Sequence, residues 1–361
     1  MLVIDFSIST EQLLKLANAN MHQAIDTWEK KIWQFIIQWY NQENSISVYT
    51  SGSTGKPKQI NHSKSFMLNS AGMTKEAIGL NDCKTSLLCL PADKISGMMM
   101  MVRSICNQMQ MFCIEPSVNP LKSIQNDTPV IDFAAFTPMQ FHSITNNYQD
   151  FIRAEKIRKI LLGGEGISPL LAGAIRQMNN EIYSTFGMTE TISHIALRKL
   201  SGIHISSSYK TLPGISISTT GNNCLVIDAP QLGVKNLITN DIVHLLSDRE
   251  FEWQGRSDHV INTGGIKLHP EQIEELLLPW LQTNFFIAGT ESEMTGQQVI
   301  LCLEKRTLSI SETEEIKTGL QQLNAYSRPR EIWLIPSFAK TGNGKLNRQA
   351  SLEMVLEKIL L

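Results

Sequence analysis

The chain has 361 residues, 42% of them hydrophobic and 18% charged, with a net charge of −2 at pH 7. That length exceeds one ordinary core and predicts two domains, and the balanced charge excludes a basic nucleic-acid binder or an acidic tail. No run approaches the roughly 18 apolar residues of a membrane helix, and the start Met-Leu-Val-Ile-Asp-Phe lacks the regions of a signal peptide. Cys83, Cys89, Cys106, Cys113, Cys224 and Cys302 form no Cys-x-x-Cys pair, so they read as reduced, mostly buried thiols of a cytoplasmic protein.

Residues 11–42 predict a helix, because Ile25, Trp28, Ile32, Phe35, Ile36 and Trp39 recur at three- and four-residue steps. Such an aromatic stripe is core. The run Ile46–Tyr49 then predicts a short strand that exits into Tyr49-Thr-Ser-Gly-Ser-Thr-Gly-Lys-Pro-Lys58. Glycines that allow positive φ, exposed N–H groups, hydroxyls and two lysines together suit an anion, which makes this a phosphate loop. It is not a Walker A loop: only two residues separate Gly52 from Gly55, and Pro57 stands where Ser or Thr is required. A flexible Ser/Gly linker is the plainer alternative, but linkers rarely carry Lys-Pro-Lys directly after a strand.

From His62 a helix is expected to run to about Ile78, and strand and helix then alternate. The strand candidates are 85–91, 131–138, 159–165 and 181–185, separated by helical stretches at 97–111, 139–147 and 169–178. This alternation predicts a largely parallel sheet covered by helices, with ligands at the carboxyl ends of its strands. The phosphate loop, Gly163-Gly164-Glu165 and Phe186-Gly187-Met188-Thr189-Glu190 occupy such ends. Met98 to Met101 can line an adaptable pocket, but gap-filling core is their default.

After Ser193 the pattern changes. Residues 203–252 are rich in β-branched residues broken by Gly, Asn and Asp, which predicts a small antiparallel subdomain or barrel. The polar turn Gly255-Arg256-Ser257-Asp258 divides residues 1–257 from 258–361, and the second part predicts an α+β unit. Its expected elements are a strand at 260–262, a helix from Pro270, strands near 285–289 and 298–303, a helix at 311–323 and a strand at 331–335. The exposed loop Lys340-Thr-Gly-Asn-Gly-Lys345 follows.

Singly, the later motifs admit two readings. Phe186 can stack a base and Glu190 can hold Mg²⁺, or Thr189-Glu190 can be a helix N-cap with a first-turn acid. Asp241 can accept from ribose hydroxyls or close an Asx turn. Arg256 can bind ribose or phosphate or be a surface charge. Lys345 can be a mobile catalytic lysine or a solvated turn residue.

In this order and spacing, the phosphate loop, Gly-Gly-Glu, Phe-Gly-Met-Thr-Glu-Thr, Asp241, Gly-Arg-Ser-Asp, Gly-Gly-Ile-Lys-Leu-His-Pro-Glu and Lys-Thr-Gly-Asn-Gly-Lys strongly resemble the AMP-forming acyl-CoA synthetases. That adenylating superfamily includes acyl- and aryl-CoA ligases, nonribosomal adenylation domains and luciferases. The resemblance covers residues 46–348. It implies an α/β fold with a large N-terminal domain of mainly parallel sheets covered by helices, a small β subdomain, and a smaller mobile α+β C-terminal domain. The implied substrates are a small-molecule carboxylic acid, ATP with Mg²⁺, and coenzyme A.

By that resemblance Thr50, Ser51, Gly52, Ser53, Thr54, Gly55 and Lys58 hold the β- and γ-phosphates. Gly164, Glu165, Phe186 and Gly187 border adenine, Thr189 contacts the α-phosphate, Glu190 holds Mg²⁺, and Asp241 and Arg256 bind ribose. Asp258 is the implied hinge. Lys345 would bridge substrate carboxylate and α-phosphate, and the loop with Gly264, Gly265 and Lys267 would replace it for thioester formation.

Relatives commonly carry far more residues before this loop than the 48 found here. The shortened start most resembles the o-succinylbenzoate–CoA ligases of menaquinone biosynthesis, a subgroup of that family. Leu90–Ser104 resembles that subgroup's substrate-side segment, which puts Lys94, Ser96, Gly97 and Arg103 on the acid side together with Met188. Lys94 stands where many relatives carry His or an aromatic residue. A diacid leaves one carboxylate over, and Arg103 and Lys94 are the cations to meet it, unless Arg103 is paired elsewhere on a helix surface. Ligation of another aryl or short acid, loading of a carrier protein, and nucleotide binding without catalysis are the alternatives. The assembly is open between monomer and homodimer. The Trp-rich helix of residues 22–41 is expected to cover part of the sheet edge.

Overall fold

A computed structural model describes residues 1–51, 57–124, 129–340 and 346–361, with the backbone alone at Thr50, Ser51, Pro57, Lys58 and Pro169. After strand β1 (Leu2–Asp5), the helix expected over 11–42 is two helices, α1 (Thr10–Gln23) and α2 (Thr27–Tyr40). Ala24 turns extended (φ −60°, ψ 124°), and Asp26 takes the N-cap position of α2 with Glu29 in the first turn, favourable for a new helix start. Ile25 falls in the break and is exposed, while Ile32, Trp33, Phe35, Ile36 and Trp39 form the buried face of α2.

Strands β2 (Ser45–Ser51) and β3 (Pro57–Ser63) pair antiparallel from Ser45↔Ser63 to Ser51↔Pro57, so the two flanks of the phosphate loop are held side by side. Gly52, Ser53, Thr54, Gly55 and Lys56 lie outside the described residues. Helix α3 (Lys64–Ile78), strand β4 (Thr85–Leu88), helix α4 (Ile95–Cys106) and strand β5 (Gln110–Cys113) follow. The helix expected over 97–111 therefore stops early: Gln108 takes φ 50° and turns the chain back, so Met109 leads into β5 and Met111 belongs to it.

Alternation continues with β6 (Phe133–Phe136), α5 (Pro138–Thr145), α6 (Tyr148–Glu155), β7 (Lys159–Leu162), α7 (Pro169–Ile175) and β8 (Glu181–Gly187). Antiparallel strands β9 (His194–Lys199), β10 (Tyr209–Thr211), β11 (Ser216–Thr219), β12 (Cys224–Ala229), β13 (Val234–Ser247) and β14 (Glu250–Arg256) come next. One twelve-stranded sheet holds both groups in the order β1-β5-β4-β6-β7-β8-β9-β10-β14-β13-β12-β11. Strands β5, β4, β6, β7 and β8 are parallel, and the antiparallel β8–β9 pair joins them to the β-rich part. At the other end β1 pairs antiparallel with β5, so a strand covers the edge where the Trp-rich helix is expected.

The parallel strands are buried on both faces. Phe133 and Ala135 enter one core while Ala134 and Phe136 enter the other, and β7 divides Leu161 from Ile160 and Leu162 in the same way. That is the period of two read out by two helical layers. Met99, Met100 and Met101 are fully buried, which makes them core.

The last hundred residues form a second sheet from β15 (Ile261–Thr263), β16 (Ile266–Leu268), β17 (Phe285–Ser292), β18 (Gly296–Glu304), β19 (Glu331–Ile335) and β20 (Glu357–Leu360). Helices α8 (Pro270–Leu277), α9 (Ile310–Leu320) and α10 (Arg348–Leu352) accompany it. Val299, Leu301 and Leu303 face one core and Ile300 and Cys302 another, so this part has hydrophobic cores of its own.

Candidate active site

The carboxyl ends of the parallel strands gather the motifs. Gly164 and Glu165 are exposed in the turn after β7, and Phe186 and Gly187 end β8. Phe186 packs edge-on to Phe251 at 5.1 Å and tilted on Tyr209 at 5.6 Å, which leaves the ring partly buried. A Cβ at Gly187 would meet the Ser193 carbonyl oxygen at 2.3 Å, so only glycine lets β8 and β9 close here.

Between them Thr189, Glu190 and Thr191 make one 3₁₀ turn. Buried Thr191 locks it: its hydroxyl accepts from the Met188 N–H at 3.0 Å and donates to the Ser193 carbonyl at 2.7 Å. Ile192 follows at φ 68°, ψ −53°, with the Ser193 N–H donating to the Thr191 carbonyl at 2.7 Å. This is a γ-turn of positive φ, strained for a β-branched residue by about 1–3 kcal/mol. The turn leaves Glu190 exposed, Thr189 and Met188 half-buried, and Ser193 and His194 directed inward.

On the inner side lies Arg103 of α4, 3% exposed. Its Nη2 donates to Ser193 Oγ at 2.7 Å and to His194 Nδ1 at 3.3 Å, and its Nε donates to Thr74 Oγ1 at 3.3 Å. Among the described residues it makes no ion pair. Burial pulls its pKa down to about 10, so it stays a cation at neutral pH. Burial, and then the Arg103 charge, hold the His194 imidazole well below its ordinary value.

Lys94 caps the start of α4 and is exposed, as is Ser96. Nine positions at about 100° each put Lys94 and Arg103 on opposite sides of the helix, so the two candidate cations do not share one pocket. Gly97 is buried, and a Cβ there would meet the Pro91 carbonyl oxygen at 2.1 Å.

A second cluster joins β13, β14 and the turn after them. Asp241 and Arg256 are register partners, with Asp241 Oδ2 and Arg256 Nη1 4.0 Å apart. Trp253 Nε1 donates to Asp241 Oδ1 at 2.9 Å, and Arg256 grips Asp258 with two bonds of 2.9 and 3.0 Å. Burial pushes the Asp241 carboxyl up, against the pull of Trp253 and Arg256. The Arg256 bonds hold Asp258 below the ordinary carboxylate value. Gly264 and Gly265 form the exposed hairpin turn between β15 and β16, and Lys267 is exposed on β16. Lys345 lies outside the described residues, as do the side chains of Thr50, Ser51 and Lys58. Three positions after Lys345, Arg348 donates to both Glu274 oxygens at 2.6 and 3.0 Å and to the Ile287 carbonyl at 2.7 Å, fixing the chain beyond that loop.

Four polar residues of this region escape sequence reasoning: His62, Thr74, Ser193 and His194. His62 sits on β3, where a helix start is expected, and is 6% exposed, its buried Nε2 without a hydrogen-bond partner among the described residues. Burial lowers its pKa, and the neighbouring Glu190 carboxylate and Thr189 carbonyl pull it back up, which puts the ring beside the 3₁₀ turn. The available signal was a histidine on the same face as Ile60 near the end of an alternating strand after the loop. Thr74 and His194 meet across 120 positions, which no local pattern announces.

Among the described residues no three His, Cys, Asp or Glu side chains come together as metal ligands. A dication at Glu190 would therefore be held by one carboxylate, phosphate oxygens and water, which is how Mg²⁺ is commonly bound. Glu190, exposed and without an ion pair among the described residues, fits that role.

Residues 12–235 match the model of the AMP-binding enzyme family. Among curated proteins, the 2-succinylbenzoate–CoA ligase of Lactococcus lactis is 25% identical and spans 86% of this chain and 71% of its own length. That of Listeria monocytogenes is likewise 25% identical, over 92% of this chain and 79% of its own. Among solved structures, an acyl-CoA synthetase (AMP-forming)/AMP-acid ligase II-like protein from Dyadobacter fermentans is 29% identical with a TM-score of 0.65, covering 98% of this chain and 99% of its own. The o-succinylbenzoate CoA synthetase of Bacillus subtilis, solved with its acyl-adenylate intermediate, is 19% identical with a TM-score of 0.71 over 99% of this chain and 83% of its own. At that identity the likeness is one of fold.

Proposed function

The chain belongs to the AMP-binding enzyme family, and from that premise we propose that it is an AMP-forming acid–CoA ligase acting on o-succinylbenzoate, the step found in menaquinone biosynthesis. In the first half-reaction a carboxylate oxygen attacks the α-phosphorus of ATP, the bond to the pyrophosphate oxygen breaks, and an acyl-adenylate forms. In the second the CoA thiol attacks the acyl carbon, the acyl–oxygen bond breaks, AMP leaves and the thiol proton passes to solvent. The acyl phosphate is already activated, and a thiol of pKa near 8.5 reaches its thiolate readily, so no side-chain base is assigned.

The residues take these roles in the proposal. The loop from Thr50 to Lys58, whose flanks β2 and β3 hold together, cradles the β- and γ-phosphates. Thr189 donates to the α-phosphate and Glu190 holds Mg²⁺, which when bound neutralises phosphate charge. Gly164, Glu165, Phe186 and Gly187 border adenine. Trp253 occupies one oxygen of Asp241 and leaves the other for ribose, beside Arg256. Residues 258–361 turn as a lid about Asp258, exchanging Lys345 for the Gly264–Lys267 hairpin between half-reactions. Arg103 meets the carboxylate of the acid that is not activated, with Gly97, Ser96 and Met188 along the acid's path and Lys94 outside it.

The observation that carries the choice of acid is Arg103, a buried cation whose partners among the described residues are all neutral. Burying a charge without a counter-ion is costly unless an anion completes the site, and a diacid supplies one. Pyrophosphate release from ATP in the presence of single carboxylic acids tests the reading. Release with o-succinylbenzoate alone is expected. Release with a simple aryl or short-chain acid instead would move the substrate, loading of a carrier protein instead of CoA would move the acceptor, and no release with any acid would leave a nucleotide binder.

A further inference from the structure

Three neutral groups hold the Arg103 guanidinium, and one of them has its proton position set by its neighbours. Arg103 has donors only, so His194 Nδ1, 3.3 Å from Nη2, must present a lone pair. The ring proton of neutral His194 therefore sits on Nε2, which donates to Thr74 Oγ1 at 3.1 Å. The Thr74 hydroxyl in turn donates to the Ser70 carbonyl at 3.0 Å, one turn back along α3. Thr74 Oγ1 keeps a second lone pair for Arg103 Nε at 3.3 Å. The chain of bonds thus starts on a fixed helix carbonyl and ends on two nitrogens of one guanidinium.

We propose that His194 and Thr74 are positioning residues that fix Arg103, still carrying its full charge, as the receptor for the second carboxylate of the acid. The inference rests on the reading that Arg103 meets that carboxylate. A carboxylate at position 194 would orient the guanidinium equally well but would neutralise it and close the receptor. A protonated imidazole would repel it. A neutral imidazole, Nε2-protonated and buried at 5% exposure, orients the cation and leaves its charge for the ligand. His194 thereby selects for dicarboxylic acids without touching them.

Steady-state kinetics of pyrophosphate release, with KM measured separately for o-succinylbenzoate and ATP, tests this on the full chain. His194→Phe keeps a flat ring, somewhat larger, and removes the acceptor. It should raise the acid KM about tenfold to a hundredfold, the worth of a hydrogen bond to a charged group, and leave the ATP KM unchanged. His194→Gln presents an amide oxygen to Arg103 and an amide N–H to Thr74, and should return the acid KM to within about threefold of the parent. Thr74→Val should move the same constant in the same direction and serves if His194→Phe does not fold. A parental acid KM in His194→Phe or Thr74→Val, alongside a raised one in Arg103→Gln, overturns the inference and leaves the substrate reading intact. A Gln variant as impaired as Phe overturns the acceptor role. If Arg103→Gln itself keeps the parental acid KM, the substrate reading falls and the inference falls with it.

Discussion

Two arginines of this protein, Arg103 and Arg256, are held in opposite ways. Arg103 is buried among a serine, a threonine and a neutral histidine, and burial lowers its pKa. Arg256 is half-exposed at the end of β14, doubly bonded to Asp258 with Asp241 beyond, and those bonds raise its pKa. A paired surface guanidinium is a joint of the structure whose charge is already answered. A buried guanidinium with neutral partners is destabilised as it stands, and in the proposed function the second carboxylate of the acid answers its charge. Position on the helix made the difference: Lys94, on the opposite side of α4, is solvated and needs no answer.

The largest effect expected concerns a third cation, Lys345, neither buried in place nor paired in place in the proposed cycle. Lys345→Ala should slow acyl-adenylate formation about 10²–10³-fold, the usual loss when one donor to developing charge is removed. Thiolysis of preformed acyl-adenylate by CoA should be nearly unchanged. Equal losses in the two half-reactions, assayed separately, would remove the exchange of Lys345 for the hairpin loop.

Next comes Arg103→Met. The acid KM should rise about tenfold or more, yet the urea midpoint should hold or correspond to a gain of about 1–3 kcal/mol, because an apolar side chain suits that cavity better than an uncompensated charge. A loss of stability beyond about 2 kcal/mol would show that Arg103 is a structural joint after all, and the contrast with Arg256 would collapse.

Acid stability follows from the histidines. Burial depresses the pKa of His194, and also those of His62 and His269, below the ordinary 6.5. Between a depressed folded value and 6.5 the unfolded chain binds more protons than the folded one, so stability is full above about pH 6.5 and falls as pH drops below it. Each such group steepens the fall by at most about 1.4 kcal/mol per pH unit. Urea titrations at pH 7.5, 6.5 and 5.5 should show that slope, and His194→Gln should flatten it by one group's share. An unchanged slope would mean that folding does not depress the His194 pKa.

Arg256→Met is the mildest. With its side chain 38% exposed, the pair with Asp258 should be worth at most about 1 kcal/mol of stability, while the ATP KM rises severalfold and the acid KM does not move. A shifted acid KM would join the two arginines into one site.

Much of this molecule is legible without coordinates. Strand 331–335 is placed to the residue, and β4, β6, β7, β8 and α3 fall where apolar runs and breakers put them. The misses share a cause. β5 is hidden in a run of methionines and other apolar residues that suits helix and strand alike, and only the backbone reversal at Gln108 divides it. β1 and β20 are four-residue edge strands whose identity comes from β5 and β19, not from themselves. The β-rich part after Ser193 looks separate because a change of period looks like a boundary, although hydrogen bonds from β8 to β9 carry the sheet straight across it.

The sequence alone determined the order of the motifs: a loop that can wrap phosphate, an acid after a strand, a polar Gly-Arg-Ser-Asp turn and a lysine directly after a glycine. Residue type and spacing are enough for that, since each motif is a local device. Only the tertiary structure decided which cation lacks a counter-charge among the described residues. Whether Arg103 is a solvated helix residue or a buried receptor depends on Thr74, Ser193 and His194, brought to it from 29 to 91 positions away. Burial and unmet charge are properties of that assembled environment, and no segment of chain carries them by itself.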